Sequence, residues 1–431
     1  MNNIEKMLIE IVKEDSNPAL GCTEPVAVAY ACAFANKYVT SEIKDIKVTT
    51  SKSIFKNGKS VIIPKTNSRG LDLAAALGAV GGDADDDFMV LKNINNEIIA
   101  DAKRMVSSGL VSVTYAEISP VIYVNVIMRT DNETIELDLR NSHTHVEWVK
   151  VNDEVVYKNP SHTANGISFD FLKDMKFKEL IDICEKISID DIYFVKKGIE
   201  MNNSAANEGL KSNLGLRIGS TLNKLHEEGM LNIDVFTKAR ILTAAACDMR
   251  MGGGECPIMT SGGSGNQGIG VILPISVVAE FENVPEERLI RAVFFAHIIN
   301  RYVKMYTGKL SSICGCAIAA GVGASAAITW MLGGDEAKIE GSCTNMLANL
   351  SGMICDGAKD TCSFKLSTSA EEAVITAYLA MEGVIAEKNV GVIGNSIEDT
   401  IKNLGYLCEE GLDHADSAII NIINKEGNQN E

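Results

Sequence analysis

Two cysteines, Cys355 and Cys362, lie seven positions apart around the segment DGAKDT. This spacing on a glycine-containing loop can turn both sulfurs towards one point, as ligation of a metal by thiolates requires. It is not the CxxC spacing of a zinc ribbon, and the chain offers no CxxC pair to complete a closed tetrahedral zinc site. A pair of buried free thiols is the alternative, because cysteine is among the residues most often found in protein interiors.

Three further cysteines stand where they could support chemistry. Cys314 and Cys316 begin an uncharged, small-residue segment that predicts a helix. Residues two positions apart on a helix point about 200° away from each other, so at most one of these sulfurs is expected at a shared metal site. Cys22, in the segment GCTEP, precedes another predicted helix. The helix dipole favours a thiolate there, as a nucleophile, base or ligand, and an incidental cysteine in a capping loop is the alternative.

The most conspicuous polar loop is SGGSGNQG, which begins at Ser261. Its GxGxxG pattern formally matches a dinucleotide fingerprint, but no clear strand precedes it and no βαβ unit surrounds it, so a nucleotide site is not expected. Exposed backbone N–H groups around Gly262, together with the side chains of Ser261, Ser264 and Asn266, lead into an apolar helix and suit a carboxylate. A turn that only caps the helix is the alternative.

Three more motifs carry charged or titratable side chains. Arg250, in DMRMGG, could pair with a substrate carboxylate or with Asp248. His143 ends a strand-like region and could act as an acid or a base. It shares a strand face with His145, but without a third metal ligand a surface pair is expected. Lys56, in the segment KNG, is placed in a turn, where a solvated lysine is expected.

The elements that must position these residues change character along the chain. An amphipathic N-terminal helix and an alanine-rich helix are followed, from residue 43, by a strand pattern, a helix closed by glycines, a helix around residues 88–108 and several β-rich segments. Beyond residue 161 the patterns are helical. The prediction is an α+β fold with an N-terminal helical segment (1–42) packed on the helical domain, an α+β domain with an antiparallel sheet (43–160) and a larger helical domain carrying the chemistry (161–431).

Composition limits the class of protein. The chain has a net charge of −17, so a nucleic-acid partner is not expected. Residues 310–334 carry no charge, but their Gly, Ala and Ser content favours a buried helix over a membrane span. Eleven cysteines, an odd number, and an N-terminus without the apolar core of a signal peptide predict a cytoplasmic protein that keeps its thiols reduced.

Read together, several segments resemble the L-cysteine desulfidase family, which is related to the α-chain of iron–sulfur L-serine dehydratases. The resemblance covers nearly the whole chain through NPALGCTEP, KNG, LAAALGAVGG, DMRMGG, SGGSGNQG, LSSICG and SGMICDGAKDTC, in that order. It implies an oxygen-sensitive [4Fe–4S] cluster, no pyridoxal phosphate, a small L-amino acid as substrate and, from size and family alone, a homo-oligomer.

The resemblance also implies roles for individual residues. Cys314 (in LSSIC), Cys355 and Cys362 would bind the cluster, with Cys22 lying close to it or binding it. A looser match of Cys316 and the glycine five positions on to the dehydratase cysteine motif would make Cys316 the ligand in place of Cys314.

The implied reaction is β-elimination from L-cysteine to pyruvate, ammonia and sulfide, with an open cluster iron as Lewis acid on the leaving group. The SGGSGNQG loop, with Arg250 as a possible helper, would hold the carboxylate. Cys22 as thiolate, His143 and Lys56, in that order, are the candidate bases for the α-proton. Alternatives are an L-serine dehydratase of the same architecture, a non-catalytic iron–sulfur or thiol redox sensor, and a zinc protein.

Overall fold

The computed structural model describes residues 3–159, 169–308 and 310–427. Its helices are α1 Asn3–Asp15, α2 Thr23–Asn36, α3 Lys52–Gly58, α4 Leu71–Gly81, α5 Asn96–Ser107, α6 Phe171–Asp174, α7 Phe177–Lys186, α8 Ile189–Ile192, α9 Lys196–Lys211, α10 Ile218–Glu227, α11 Val235–Met251, α12 Gly265–Phe281, α13 Glu286–Thr307, α14 Ala319–Met331, α15 Glu336–Leu350, α16 Cys362–Met381, α17 Ile397–Tyr406 and α18 Ala415–Gly427. The strands are β1 Pro18–Ala19, β2 Asp45–Thr50, β3 Ile62–Ile63, β4 Ser68–Arg69, β5 Val111–Tyr115, β6 Tyr123–Arg129, β7 Thr134–Arg140, β8 Val146–Val151, β9 Glu154–Lys158 and β10 Ile258–Met259.

The main sheet has six strands in the order β5-β2-β6-β7-β8-β9. Short connections make the pairs from β6 to β9 antiparallel, and β2 also runs antiparallel to β6. The β2–β5 pair is parallel, because α3, α4 and α5 carry the chain back across the sheet between these two strands. The α+β prediction is therefore confirmed, and four of the five strand pairs of this sheet are antiparallel as expected, while the β2–β5 pair is parallel.

The described residues form two large hydrophobic cores and a smaller third cluster that includes Cys22 and Cys247. Alternate residues of β6 are buried, and they pack with α2 and α4 in one core. The backbones of these helices touch: a Cβ added at Gly78 would lie 2.1 Å from the carbonyl oxygen of Ala29, so only glycine fits there. The second core is built from helices after residue 169, and α1 contributes its apolar face to it. Helix α1 thus packs on the helical half, whereas α2 packs on the sheet.

Two local structures differ from the sequence expectation. The segment containing Lys56 is helix α3, capped by Ser51, whose hydroxyl accepts a hydrogen bond from the Ile54 N–H, and not a turn. The segment with Cys314 and Cys316 forms turns before α14 begins, and is not part of that helix. All of α14 is buried. Within the part of the chain that the structure describes, no helix is long and apolar enough to cross a membrane.

Candidate functional site

Several loops and helix ends meet around one internal cavity of about 70 Å³. The short antiparallel pair β1–β10 fixes the first two of these loops to each other, because it lies just before Cys22 on one strand and just before Ser261 on the other. The end of α11, the start of α12 and the turns before α14 and α16 complete the wall. The side chains and backbone that line the cavity include Cys22, Glu24, Asn57, Arg250, Ser264, Asn266, Gln267, Lys304, Cys314, Cys316, Cys355, Cys362 and Lys365.

Five of the lining residues are cysteines, and all of them except Cys22 come from two segments that lie side by side. The Cys355 N–H donates to the carbonyl of Ser312, and the Cys314 N–H donates to the carbonyl of Met353, both at 2.8 Å. This pairing brings the predicted ligand Cys314 next to Cys355, and the turn before α16 adds Cys362. Because Cys316 stands in a turn and not on a helix, it borders the same cavity, contrary to the helical argument made from sequence.

The thiols differ in acidity. A hydrogen bond from Cys316 lowers the pKa of Cys314 to about 7, although burial acts in the opposite direction. Burial, followed by the nearby Cys314, raises the pKa of Cys362 to about 12. Burial also raises the pKa of Cys355, although the ammonium groups of Lys56 and Lys365 partly offset it. The protein therefore surrounds these thiols with positive charge, but without a bound cation it favours only one of them as thiolate.

Arg250 is a charged residue of the cavity whose hydrogen-bonding capacity is only partly used by the described residues. Its side chain is 2% exposed, and its Nη1 donates to Oδ1 of Asn266 at 2.8 Å. Its Nε and Nη2 have no hydrogen-bond partner among the residues that the structure describes. Asp248, the alternative partner considered from sequence, accepts a hydrogen bond from the backbone N–H of Gly219. A buried guanidinium with open N–H groups suits a carboxylate ligand.

The SGGSGNQG loop leads directly into helix α12. Gly262 and Gly263 have positive φ angles of 54° and 75°, which lets the chain turn sharply before the helix. Ser264 precedes the first helical residue without making a side-chain cap, and it borders the cavity with Asn266. The unpaired N–H groups at this helix start therefore add a local positive potential beside Arg250.

Ser261, in contrast, faces away from this cavity. Its hydroxyl accepts a hydrogen bond from Nδ2 of Asn300 at 2.9 Å and lies 2.8 Å from Nδ1 of His297. The carbonyl of Gly262 accepts a 2.5 Å hydrogen bond from Lys304. Of the residues expected from sequence at the carboxylate, the structure brings Arg250, Ser264 and Asn266 to the cavity, while Ser261 and Gly262 anchor the loop to α13.

Cys22 and Glu24 form a buried pair at the start of α2. The Cys22 thiol donates to Oε2 of Glu24 at 2.9 Å. Burial, and then the negative charge of Glu24, raise the pKa of Cys22, so the thiolate expected from the helix dipole is not the favoured form. Burial opposes ionisation of Glu24, but His143, the Cys22 thiol and Arg250 together outweigh it and lower the pKa of the carboxyl.

Lys56 is buried, not solvated, and lies at the edge of the thiol cluster. Its side chain is 1% exposed, and its ammonium group forms a 2.6 Å ion pair with Asp416 of α18. The same group donates to the carbonyl oxygen of Cys355 at 3.1 Å. Both contacts fix the ammonium group in place, so the structure gives this lysine the role of holding the loop that carries Cys355.

His143 is also buried, which corrects the expectation of a surface histidine pair, and His145 is half-buried. His143 borders a second cavity of about 50 Å³ together with Glu24, Ser264 and Lys304. Glu24, Ser264 and Lys304 also border the first cavity, which the cysteines line and which is called the thiol cavity below. Glu24 therefore lies between the thiols and His143.

Sequence reasoning missed Glu24, Asn57, Lys304 and Lys365, which all border the thiol cavity. Glu24 and Asn57 were visible inside the GCTEP and KNG segments, but only as neighbours of Cys22 and Lys56. Lys304 gave no usable signal, because it is one of several charged residues of the long helix α13 and lies in none of the recognised motifs.

The donor chemistry of the cavity fits a thiolate-bound iron–sulfur cluster. Cys314, Cys316, Cys355 and Cys362 supply four soft sulfur donors along one wall, and Lys365 adds positive charge that offsets theirs. Among the described residues, no three His, Cys, Asp or Glu side chains are grouped as ligands of a single metal ion. The thiolates of a cluster bind different irons and need not converge on one point.

Comparison with known proteins gives consistent matches over almost the full length. A profile described as serine dehydratase alpha chain matches residues 85–421. A UPF0597 protein of Clostridium botulinum (strain Hall) is 51% identical over 424 residues, 98% of each chain. UPF0597 proteins of Clostridioides difficile (strain 630) and Clostridium tetani are 38% and 37% identical, and the matches cover at least 96% of this chain and 99% of theirs.

Proposed function

We propose that this chain, which belongs to the serine dehydratase alpha-chain family, is an iron–sulfur lyase that removes the β-substituent of a small L-amino acid. L-cysteine, giving pyruvate, ammonia and sulfide, is the proposed substrate. One observation supports the proposal: a buried arginine, two of whose nitrogens bond no described residue, borders the same cavity as five thiols. A carboxylate-binding group beside soft metal donors is what a reaction on an amino acid at a cluster requires.

Arg250 would bind the substrate carboxylate through Nε and Nη2, since Nη1 is committed to Asn266. The start of α12, which lies against Arg250, would add backbone N–H groups as further donors to the carboxylate. These contacts matter for the chemistry as well as for binding, because negative charge develops next to the carboxylate when the α-proton leaves.

Cys314, Cys355 and Cys362 are the proposed cluster ligands, with Cys316 as the alternative to Cys314. The cluster, when bound, would supply a Lewis acid for the leaving sulfur. Lys56 holds the Cys355 loop through the backbone carbonyl, and Lys365 donates to the carbonyl of Ile354 next to it. Lys56 and Lys365 thus both hold the backbone of the segment that carries Cys355.

A base must take the α-proton while the C–S electron pair leaves with sulfur, which gives aminoacrylate and hydrogen sulfide. Aminoacrylate then takes up water and releases pyruvate and ammonia. Cys22 remains the first candidate base because it borders the cavity, although its thiol proton is held by Glu24 and must leave before the sulfur can accept another. His143, which borders the second cavity, is the next candidate. Lys56 is the weakest, because its ammonium group is bonded to Asp416 and to the carbonyl of Cys355 and the residue does not line the thiol cavity.

The test is an anaerobic assay on protein reconstituted with iron and sulfide and then desalted. With L-cysteine, sulfide and pyruvate should appear in equal amounts, and neither should appear without substrate. The Cys355→Ala variant should lose both products, while Cys343→Ala, which removes a buried thiol in the helical core, should keep them. Iron-loaded protein that releases no pyruvate from any small L-amino acid would contradict the proposal and favour a redox sensor.

Dehydration of L-serine is the second candidate, favoured by the description of the matching profile itself. The same cavity can serve it, because only the leaving atom differs between the two substrates. Pyruvate from L-serine at a higher kcat/KM than from L-cysteine would assign the chain to dehydration. The preference for cysteine rests on the match between soft sulfur and an iron–sulfur site.

A further inference from the structure

We propose that the Glu24 carboxylate binds the α-ammonium group of the substrate, so that the cavity selects zwitterionic α-amino acids over carboxylic acids without that group. The inference rests on the proposed function in that it takes an amino acid as the ligand of this cavity. It adds a specificity-determining residue that the sequence motifs did not single out.

The hydrogen bonds of Glu24 come from neutral donors. Oε2 accepts from the Cys22 thiol at 2.9 Å and from the Thr23 hydroxyl at 3.2 Å. Oε1 accepts from the Asn57 amide at 3.3 Å, and the carboxylate also accepts from the backbone N–H of Glu24. The Asn57 bond is longer than an ordinary N–H···O bond, so Oε1 can accept a shorter one from a ligand. A cationic donor there would bind the carboxylate more strongly than these neutral groups do.

The burial of Glu24 increases the stabilisation that a cationic hydrogen-bond donor would provide. Glu24 is 6% exposed, and its carboxylate borders the thiol cavity from the first turn of α2. A buried carboxylate that has lost its water is normally paired with a cation, because neutral hydrogen bonds replace only part of its hydration. Each ammonium N–H of a bound amino acid can supply this contact.

The placement of Arg250 fits the same ligand. Both Glu24 and Arg250 border the thiol cavity, yet Nε and Nη2 of Arg250 are bonded to no described residue, Glu24 included. The cavity therefore presents a carboxylate and a guanidinium that act on each other through space but form no direct ion pair among the described residues. An α-amino acid carries an ammonium and a carboxylate group on one carbon, and is complementary to this pair of opposite charges.

The experiment compares two ligands that differ only in the α-ammonium group and lack a leaving group: L-alanine and propanoate. Binding to the reconstituted full-length protein is measured anaerobically by calorimetry. The unaltered protein should bind L-alanine at least about tenfold more tightly than propanoate, as one charged hydrogen bond permits. Glu24→Gln should remove this difference and leave propanoate affinity unchanged. Glu24→Asp, which keeps the charge, should retain part of the preference.

Glu14→Gln is the matched control, because Glu14 is an exposed carboxylate at the second cavity and not at the first. It should leave both affinities unchanged. Equal affinities in the unaltered protein, or an equal loss for both ligands in Glu24→Gln, would overturn the inference. The elimination assay is independent of this result, since L-alanine has no group to eliminate. A preference that depends on Glu24 without any pyruvate release would support the ammonium site while rejecting the proposed reaction.

Discussion

Nη1 of Arg250 donates a 2.8 Å hydrogen bond to Oδ1 of Asn266 and thereby joins the last turn of α11 to the first turn of α12. The bond fixes one edge of the guanidinium. Gly265, which precedes Asn266, also leaves space for this group: a Cβ at Gly265 would lie 2.4 Å from Nε of Arg250, so a larger residue would displace the guanidinium. The planar group is therefore held against the start of the helix with its two other nitrogens available.

Replacing Arg250 with lysine should lower kcat/KM for L-cysteine by roughly 10- to 100-fold. Lysine keeps the charge but cannot bond Asn266 and a carboxylate in one plane, and a hydrogen bond to a charged group contributes about 1.5–3 kcal/mol. Arg240→Lys is the control, because Arg240 lies on the same helix but pairs with Glu371 outside the cavity. Steady-state kinetics on both variants measures the effect. Equal kcat/KM values for the two variants would argue against a carboxylate at Arg250.

Gly265→Ala should reproduce part of the Arg250→Lys defect without touching the arginine itself. The added methyl group would displace the guanidinium, whereas alanine in place of glycine on a helix otherwise stabilises it by up to about 1 kcal/mol. We therefore expect a raised KM with an unchanged or higher melting temperature. Gly352→Ala is the control, since a Cβ there meets no atom within 4 Å. An unchanged KM in Gly265→Ala would show that the guanidinium position is not critical.

The cysteine assignments can be tested by iron content. After anaerobic reconstitution, alanine variants of Cys314, Cys355 and Cys362 should lose most bound iron and acid-labile sulfide, because each removes a proposed ligand. Cys316→Ala should retain them if Cys314 is the ligand, as the LSSIC segment implies, and the reverse result would exchange the two roles. Cys343→Ala provides the control for loss of a buried thiol. Full iron in the Cys355 variant would contradict the cluster site.

The helices, the strands and many of the residues that line the cavity could be predicted from the sequence, but the geometry of the cavity could not. Cys355, Cys314 and Arg250 were identified because their residue types and motifs are chemically distinctive. The parallel β2–β5 pair was missed because it depends on where three intervening helices pack. The burial of Lys56 was missed for a similar reason. Its partner Asp416 lies 360 positions away, and the residues around Lys56 do not indicate that contact.

The ion pair between Lys56 and Asp416 should contribute to stability as well as to the Cys355 loop. Asp416→Asn would leave the ammonium of Lys56, 1% exposed, without its counter-charge, while Asp416 itself is 17% exposed. Breaking a buried pair costs about 3–5 kcal/mol, so we expect a loss of about 2–4 kcal/mol in the free energy of unfolding. Urea denaturation of the protein before reconstitution measures it. Asn424→Ala, which removes the Lys59 contact on the same helix, should cost less than about 1 kcal/mol.

His297 anchors the SGGSGNQG loop in a form that depends on pH. The Ser261 hydroxyl accepts from Asn300, and it can therefore give its own proton to Nδ1 of His297, which fits a neutral imidazole. Burial lowers the pKa of His297 to about 4. In the unfolded chain histidine takes up a proton below about pH 6.5, so the native state loses stability as pH falls from about 6.5 towards 4.

Between pH 7 and pH 5 this one group should reduce the free energy of unfolding by about 2 kcal/mol, as linkage requires for a pKa lowered from about 6.5 to about 4. His297→Gln should flatten this part of the stability profile even if it lowers stability at pH 7, because glutamine does not titrate. His226→Gln, at an exposed position, should keep the original slope. Urea denaturation at both pH values measures the slopes. A slope as steep in His297→Gln as in the unaltered protein would assign the acid sensitivity to other groups.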